Sequence, residues 1–571
     1  MATPVPLRIC ITTNEQQNEH EIDIENDEYT PLLRDRNSKS SKYVSVVPED
    51  DVEAAQCLSP LADKQPRVEP PREIAGVISI LLLGVFVANA DSSLVLATSG
   101  TISSEFNDLG DAGWLISSYT LAMCAAQSLY GQLSDIYGRK NTILMSYMFF
   151  VVGSAICDDS GAGQSLPQVV FGRLIAGVGG AGINCLVSIV IADMVPIREV
   201  ASWRSYVNIA ATTGRSLGGP IGGYLIDTIG WRWSFLGQCP PTILAAFLVA
   251  WKIQPSYVEE GPIQSQLSKL RRIDFLGAIL LSASIVCGLL VLELGGKRMP
   301  FTHPTILFLL GASLVAGNLF LLVEGFWAKE PIFPLRLMLS RDVVASYINL
   351  GFQTGAQMAM MMLVPMYFQI SAHASMTNAG AHLMPSVMGN AFGGLLAGYI
   401  IRKTGRYKLI SLIGAFASST SYLLMMLRWH GHTSFLESLY IIPGGFGNGI
   451  ALSTSFISLT AGVEPCQVAI ASSGLYLSSN VGMVLGLSLA SAILQSTLRK
   501  ELRISLEGIK HREMIISKAL SDIGYVRSLH GRLGRLVTEA YIRCLTYTHG
   551  VSLAGAIVAL LAAMSVKEHL L

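Results

Sequence analysis

From Ile74 almost to the C-terminus, apolar residues gather into runs of about twenty separated by short polar breaks. A hydrocarbon layer about 30 Å thick needs about 20 such residues of helix to cross it. Inside that layer a helix satisfies its own backbone hydrogen bonds, which an open strand cannot do. The template places spans at 75–97, 113–132, 142–158, 168–192, 206–226, 235–252 and 274–294. Further spans follow at 306–326, 344–369, 378–401, 409–427, 437–460, 468–495 and 550–566. The pattern predicts an all-α integral membrane protein of fourteen transmembrane helices, with Pro365 interrupting the Met-rich ninth run.

Lys and Arg in the breaks orient the chain, because cytosolic loops carry the excess of positive charge. Every second break is basic: Arg139 and Lys140, then Arg198 and Arg204, then Lys252, Lys269, Arg271 and Arg272. Lys329, Arg336 and Arg341 follow, then Arg402, Lys403, Arg406 and Lys408. The alternate short breaks carry only Arg232, Lys297, Arg298 and Arg428, and the one around Glu105, Asp108 and Asp111 carries none. Both termini are therefore expected in the cytosol. The 497–549 segment falls on the other side; it is amphipathic, moderately basic and free of N-x-S/T sequons.

Composition agrees with a membrane protein: 51% of the residues are hydrophobic and 14% charged, against about 25% charged in soluble domains. A net charge of zero gives no reason to expect nucleic acid as a partner. The nine cysteines contain no CxxC pair, so buried free thiols are expected rather than a disulfide framework or a zinc site. Residues 1–73 are polar and proline-bearing and read as a disordered cytosolic tail. Within it, Glu28 stands four positions before Leu32 and Leu33, a spacing that resembles the dileucine signals read by sorting adaptors of endosomal and vacuolar membrane proteins. The sequence has no GxxxxGK[ST] phosphate loop and no HExxH, so ATP-driven pumping and metalloprotease chemistry have no site. Neither an enzymatic activity nor a cofactor is expected.

The break after the second span reads GQLSDIYGRK. Gly131 lets a helix approach its neighbour closely, and Gly138 permits a tight turn. Asp135 and Arg139 suit charge-assisted hydrogen bonds at helix ends, with Asp193 as a further carboxylate for Arg139. A positive-inside turn explains Arg139 and Lys140 but not the other three positions. The fourth span carries Arg173 in GRLIAGVGGAG, costing about 2.5–3.5 kcal/mol on insertion scales. Its role is either a structural salt bridge or a coupling site. In the fifth span, TTGRSLGGPIGGYL, Gly214, Gly218 and Gly222 clear one face, Gly219 and Gly223 accompany them, and Pro220 weakens the backbone ladder. Arg215 lies inside this stretch and needs an anion or an aqueous cavity. The first span holds Asn89 and Asp91 in NADSSLVLATSG.

These motifs resemble those of the major facilitator superfamily, whose loop between helices two and three reads roughly GxLaDrxGrk. In that family the loop is a conformational latch, which here would comprise Gly131, Asp135, Gly138, Arg139, Lys140 and Asp193. GYIIRKTGRYK from Gly398 is a decayed second copy with Arg402 in place of Asp135, so any latch is asymmetric. NADSS, the fifth-span glycine motif, GWRWSF and MYFQ resemble the fourteen-helix drug:proton antiporter branch. The resemblance implies the major facilitator fold, with two pseudo-symmetric six-helix bundles plus two extra helices. It divides the chain into the 1–73 tail, a bundle over 74–252, a linker with two helices over 253–342, and a bundle over 343–571. Glu293 and Glu324 fall on the extra pair, with a structural or interfacial role expected.

Within the branch the motifs look most like those of fungal vacuolar transporters of basic amino acids. The function so implied is exchange of Lys, Arg or His for protons at the vacuolar membrane. Asp91, Asn89, Arg173, Arg215 and Glu324 are the candidate substrate or proton sites, and Asp91 is expected to hold a cation or a proton but not both. Alternatives are a multidrug exporter of lipophilic cations, a siderophore transporter and a non-transporting nutrient sensor, and the alternative location is the plasma membrane.

Overall fold

A computed structural model describes residues 71–106, 113–158, 165–253, 272–295, 299, 301–327, 331–332, 335–507, 509, 511–521 and 523–571. Glu28, Leu32 and Leu33 lie outside them. Long helices stand where the hydropathy pattern places them. They are α1 (Pro71–Glu105), α2 (Trp114–Gln127 and Leu129–Tyr137, meeting at Ser128), α3 (Arg139–Asp158), α4 (Leu166–Met194) and α5 (Ile197–Thr228). Next come α6 (Cys239–Lys252), α7 (Phe275–Leu294), α8 (Pro304–Phe326), α9 (Arg341–Ser371) and α10 (Met384–Thr404). Then follow α11 (Lys408–Arg428), α12 (Ile442–Ala461), α13 (Val468–Ser505) and α14 (Gly531–Ser565).

Among the described residues ten helical stretches are long and apolar enough to cross a membrane. The long helices outside that set are α2, α5, α9 and α12, which carry the polar and glycine-rich faces packed on other helices. A helix turned toward protein needs less apolar surface than one turned toward lipid.

The packing repeats itself. α1 packs on α5, α2 on α4, α3 on α4, α3 on α6 and α1 on α6. The same pairs recur eight helices later: α9 on α13, α10 on α12, α11 on α12, α11 on α14 and α9 on α14. α7 and α8 pair with each other through reciprocal Ser284 and Ser313 hydroxyl-to-carbonyl bonds of 2.9 and 2.8 Å. α7 rests on α2, where Ser282 donates to the Ala125 carbonyl at 2.8 Å. Across the bundles, α5 meets α10 and α12, and α13 meets α2 and α4.

The apolar cores show how the bundles meet. At the end marked by the 131–140 turn, hereafter the latch end, one buried cluster runs through both bundles, from Ile78 and Tyr147 to Val343, Ile401 and Leu475. Toward the far end the cores divide: Leu94, Leu115 and Phe235 lie in the first bundle, and Leu363, Trp429 and Leu545 in the second. A small cluster of Leu121, Cys124 and Leu289, with Leu477 and Val484 of α13 packed against it, sits where α2 meets α7. The bundles share one core at the latch end and keep separate main cores at the far end, which is called parted below.

Three expectations are corrected. The 497–549 segment is largely helical: α13 runs on to Ser505, helices follow at Arg512–Ser521 and Ile523–Ser528, and α14 begins at Gly531, not near 550. Its apolar residues Ile515, Ile516 and Val526 join the second bundle's far core, burial that one-dimensional hydropathy does not register. α5 starts at Ile197, so Arg204, counted above as a loop cation, lies inside a helix and is buried. Pro365 interrupts nothing, since α9 continues through it.

Candidate functional site

Asp91 and Arg173 meet inside the first bundle. Arg173 Nη1 donates to the two Asp91 oxygens at 2.8 and 2.7 Å, and its Nε donates to the Leu115 carbonyl at 3.1 Å. Gln238 Nε2 on α6 donates to Asp91 Oδ1 at 3.0 Å. The guanidinium lies 4.3 Å from the Tyr119 ring centre and 5.9 Å from that of Phe235. Neither charge is more than 1% exposed. Removing one partner of such a pair typically costs about 3–5 kcal/mol, because the other charge stays buried. Arg173 is seven residues inside the far end of α4, about 10 Å at 1.5 Å per residue. The pair thus lies toward the parted end of the bundles, within one bundle rather than between them.

Asn89 points away from that pair. It donates to Asn184 Oδ1 on α4 at 2.9 Å, and both asparagines are half-buried. Sequence reading missed Asn184, because an asparagine in a glycine-rich helix carries no signal without its partner. Arg215 on α5 is half-buried and donates from Nε to its own helix at Ala211 O, 3.4 Å away. Glu324 is elsewhere: buried on α8, it approaches Gly277 near the start of α7, beside Asp274. That position is at the latch end of the extra pair, so the structure does not bring it to Asp91.

The fifth-span glycines divide into two sets. A Cβ on Gly214 would stand 2.4 Å from the Phe86 carbonyl oxygen, and on Gly218 2.2 Å from that of Ala90. Gly222 faces Leu94, whereas Gly219 and Gly223 have nothing within 4 Å. Only the first three hold α5 against α1. Pro220 is exposed inside an unbroken α5.

At the latch, Arg139 Nη1 donates to Asp135 Oδ1 at 2.5 Å and to Ser134 Oγ at 2.6 Å, while its Nε donates to Asp193 Oδ2 at 2.8 Å. One guanidinium thereby ties the ends of α2, α3 and α4. Burial of Asp135 pushes its carboxyl above the usual range, against the opposing pull of Arg139. Lys140 Nζ donates to the Ala250 carbonyl at 2.6 Å, and Gly138 turns with φ 85°. Gly131 does something different: a Cβ there would lie 2.8 Å from Ala469 O and 2.9 Å from Ile470 Cα on α13. It is one of the points where the two bundles touch.

The other cross-bundle bonds run from the latch end to mid-helix. Ser202 donates to Gly398 O at 3.1 Å, Ser205 to Gly394 O at 2.5 Å and Asn208 to Asn390 Oδ1 at 2.6 Å. Asn480 donates to Gln127 Oε1 at 3.1 Å. Arg204 donates to Leu452 O at 3.0 Å and stacks 3.9 Å from the Phe456 ring centre, with Tyr476 next to it bonded to Ser188. In the second loop copy Arg402 reaches across to Glu199 at 3.1 Å, and Gly405 turns with φ 67°. At the far end, Glu105 accepts from Trp231 Nε1 at 2.5 Å and from Arg232 at 2.9 Å, which accounts for the polar half of GWRWSF. The indole bond foremost, then Arg232, holds that carboxyl below the usual range.

Residues 81–487 match the family model of the Major Facilitator Superfamily. The chain belongs to that superfamily. It is 32% identical over 475 residues to the vacuolar membrane amino acid uptake transporter fnx2 of Schizosaccharomyces pombe, covering 83% of this chain and 81% of that one. It is 30% identical to the multidrug resistance protein fnx1 of the same yeast, covering 83% and 88%. The vacuolar basic amino acid transporter 2 of Saccharomyces cerevisiae is 27% identical, covering 77% and 94%. Among solved structures, the proton:xylose symporter XylE matches with TM-score 0.54 at 14% identity, over 86% of this chain and 95% of that one. The human organic anion transporter MFSD10 matches with TM-score 0.53 at 14% identity, over 86% and 100%. The superfamily member is an all-α membrane transporter, not an enzyme, and moves a small molecule across a membrane.

Proposed function

We propose that this transporter carries a basic amino acid (Lys, Arg or His) into the vacuole in exchange for protons, with the latch end and both termini in the cytosol. The buried Asp91–Arg173 pair is the observation that carries the exchange. Protonating Asp91 would turn a neutral pair into a lone buried guanidinium, which costs several kcal/mol unless helices move to give it a new partner. A proton can therefore shift the balance between two packings of the first bundle. The far end, which is parted here, would face the acidic lumen, and the fused latch end must open for cargo to enter from the cytosol. Cargo is read from relatives named as vacuolar amino acid and basic amino acid transporters, and the excess of Lys and Arg at the latch end supports the orientation.

Exporting lipophilic cations is the second reading, favoured by 30% identity to a relative named as a multidrug resistance protein. Labelled lysine, arginine and histidine offered to vacuolar vesicles with and without the protein, beside a lipophilic-cation panel, separates the two. Exchange of one proton for one monovalent cargo moves no net charge, so voltage contributes nothing and each pH unit supports about tenfold accumulation. Arginine uptake is expected to collapse with nigericin plus potassium and to survive valinomycin plus potassium. Cation export without lysine uptake transfers the assignment to the drug reading.

A further inference from the structure

On α5, Arg204, Asn208, Ala211 and Arg215 recur at steps of four, three and four residues, which sets them on one stripe of the helix. The latch-end members of that stripe reach into the second bundle, Arg204 to Leu452 O and Asn208 to Asn390. Arg215 extends it eleven residues past Arg204, about 16 Å toward the far end, where the apolar cores have separated. The neighbouring stripe of Gly214 and Gly218 is closed against Phe86 and Ala90 of α1. That contact also sets the depth: Arg215 stands level with Asn89, and so with the Asn89–Asn184 amide pair.

Among the described residues no carboxylate pairs with the Arg215 guanidinium, and its hydrogen bond is the long one to Ala211 O at 3.4 Å. Arg173, by contrast, is fully matched by Asp91. A guanidinium is planar and offers paired N–H donors that fit the two oxygens of a carboxylate. Neutral amides at the same level suit the α-amino-acid head group, whose carboxylate and ammonium balance each other.

We infer that Arg215 receives the α-carboxylate of the transported amino acid, in the space between the bundles. The inference rests on the amino-acid reading above and adds the group by which cargo is told from a simple cation. Cadaverine and lysinamide keep lysine's two amino groups but lack the carboxylate, so they probe this contact.

Vesicles carrying the full chain are loaded with labelled lysine against unlabelled lysine, lysinamide or cadaverine. One charge-assisted contact corresponds to about 10- to 100-fold in affinity, so the two analogues should compete at least about tenfold more weakly than lysine. Arg215→Gln, at matched abundance, should lower lysine uptake by about tenfold or more and level the three competitors; Arg215→Lys should keep part of the preference. Equal competition by lysine and lysinamide against the unaltered protein overturns the inference while leaving amino-acid transport standing. So does an Arg215→Gln variant that still prefers lysine, or dependence of the preference on chloride, which would make the site one for small anions. Should Arg215→Gln fail to reach its membrane, the competitor series on the unaltered protein still decides. Absence of lysine and arginine uptake by the unaltered protein overturns the amino-acid reading, and this inference with it.

Discussion

The two bundles share one packing plan but not one interior. The first is built around an ion pair, Asp91 with Arg173, capped by Gln238. The second is held by neutral groups: Gln353 to Ser418 at 2.5 Å, Gln357 to Ser386 at 3.0 Å, and Asn349 to Ser455 at 2.9 Å. Tyr422 adds a bond to Gln357 Oε1 at 3.2 Å. Amides and hydroxyls keep their protons across the biological pH range, whereas an ion pair vanishes when its carboxylate is protonated. Of the second bundle's titratable groups, His549 is buried edge-on against Trp429, and Asp342 lies by His569 where α9 begins. The two halves repeat one frame, and the proposed proton chemistry falls to one of them.

That contrast breaks most sharply at the pair itself. Asp91→Asn is expected to abolish accumulation and to destabilise the protein by about 3–5 kcal/mol, because Arg173 is left buried without a counter-ion. Gln353→Leu in the other bundle should cost only about 1 kcal/mol and leave the pH-gradient dependence intact. Thermal unfolding in detergent together with gradient-driven uptake reads both. Full accumulation by the Asp91 variant would move coupling to another carboxylate, with Glu324 next to test.

The loop copies give the next comparison. Asp135→Asn or Arg139→Ala should reduce transport by about tenfold or more at matched abundance, since one guanidinium joins three helix ends through charge-assisted bonds. Near-normal rates in both variants would reduce the loop to a turn. In the second copy, Arg402→Ala removes an exposed pair worth about 0–1 kcal/mol, so transport should change by less than about fivefold. A loss as large as that of Arg139→Ala would show the two copies to be equivalent latches.

The smallest effect on transport is expected from Leu32→Ala with Leu33→Ala, which should leave the cycle untouched and move the protein from the vacuolar to the plasma membrane. Unchanged vacuolar fluorescence would remove the motif from the localisation argument.

Legibility followed range. The ten helices that are apolar enough to cross were visible because apolar length is a local property, and Gly138 was visible because a turn needs φ > 0. Arg139 and Asp193, 54 residues apart, were paired from motif logic. Arg204 was misplaced because a cation near a helix start reads as a loop charge until its interface partners are known. The helices within 497–549 were missed because burial against the other helices stabilises them more than their own hydropathy does.

Taken alone, the sequence determined that the chain is helical and membrane-embedded, that its basic breaks alternate, and that it carries the superfamily's motifs. Each of these depends on neighbours within a turn or two, where helix period and apolar length act. Tertiary structure alone decided which of these charges meet: that Asp91 is spent on Arg173, that Gly131 serves the contact between bundles, and that Arg215 stands without a carboxylate among the described residues. Those outcomes depend on helix crossings between residues far apart in the chain, and a linear pattern carries no record of which helix face meets which.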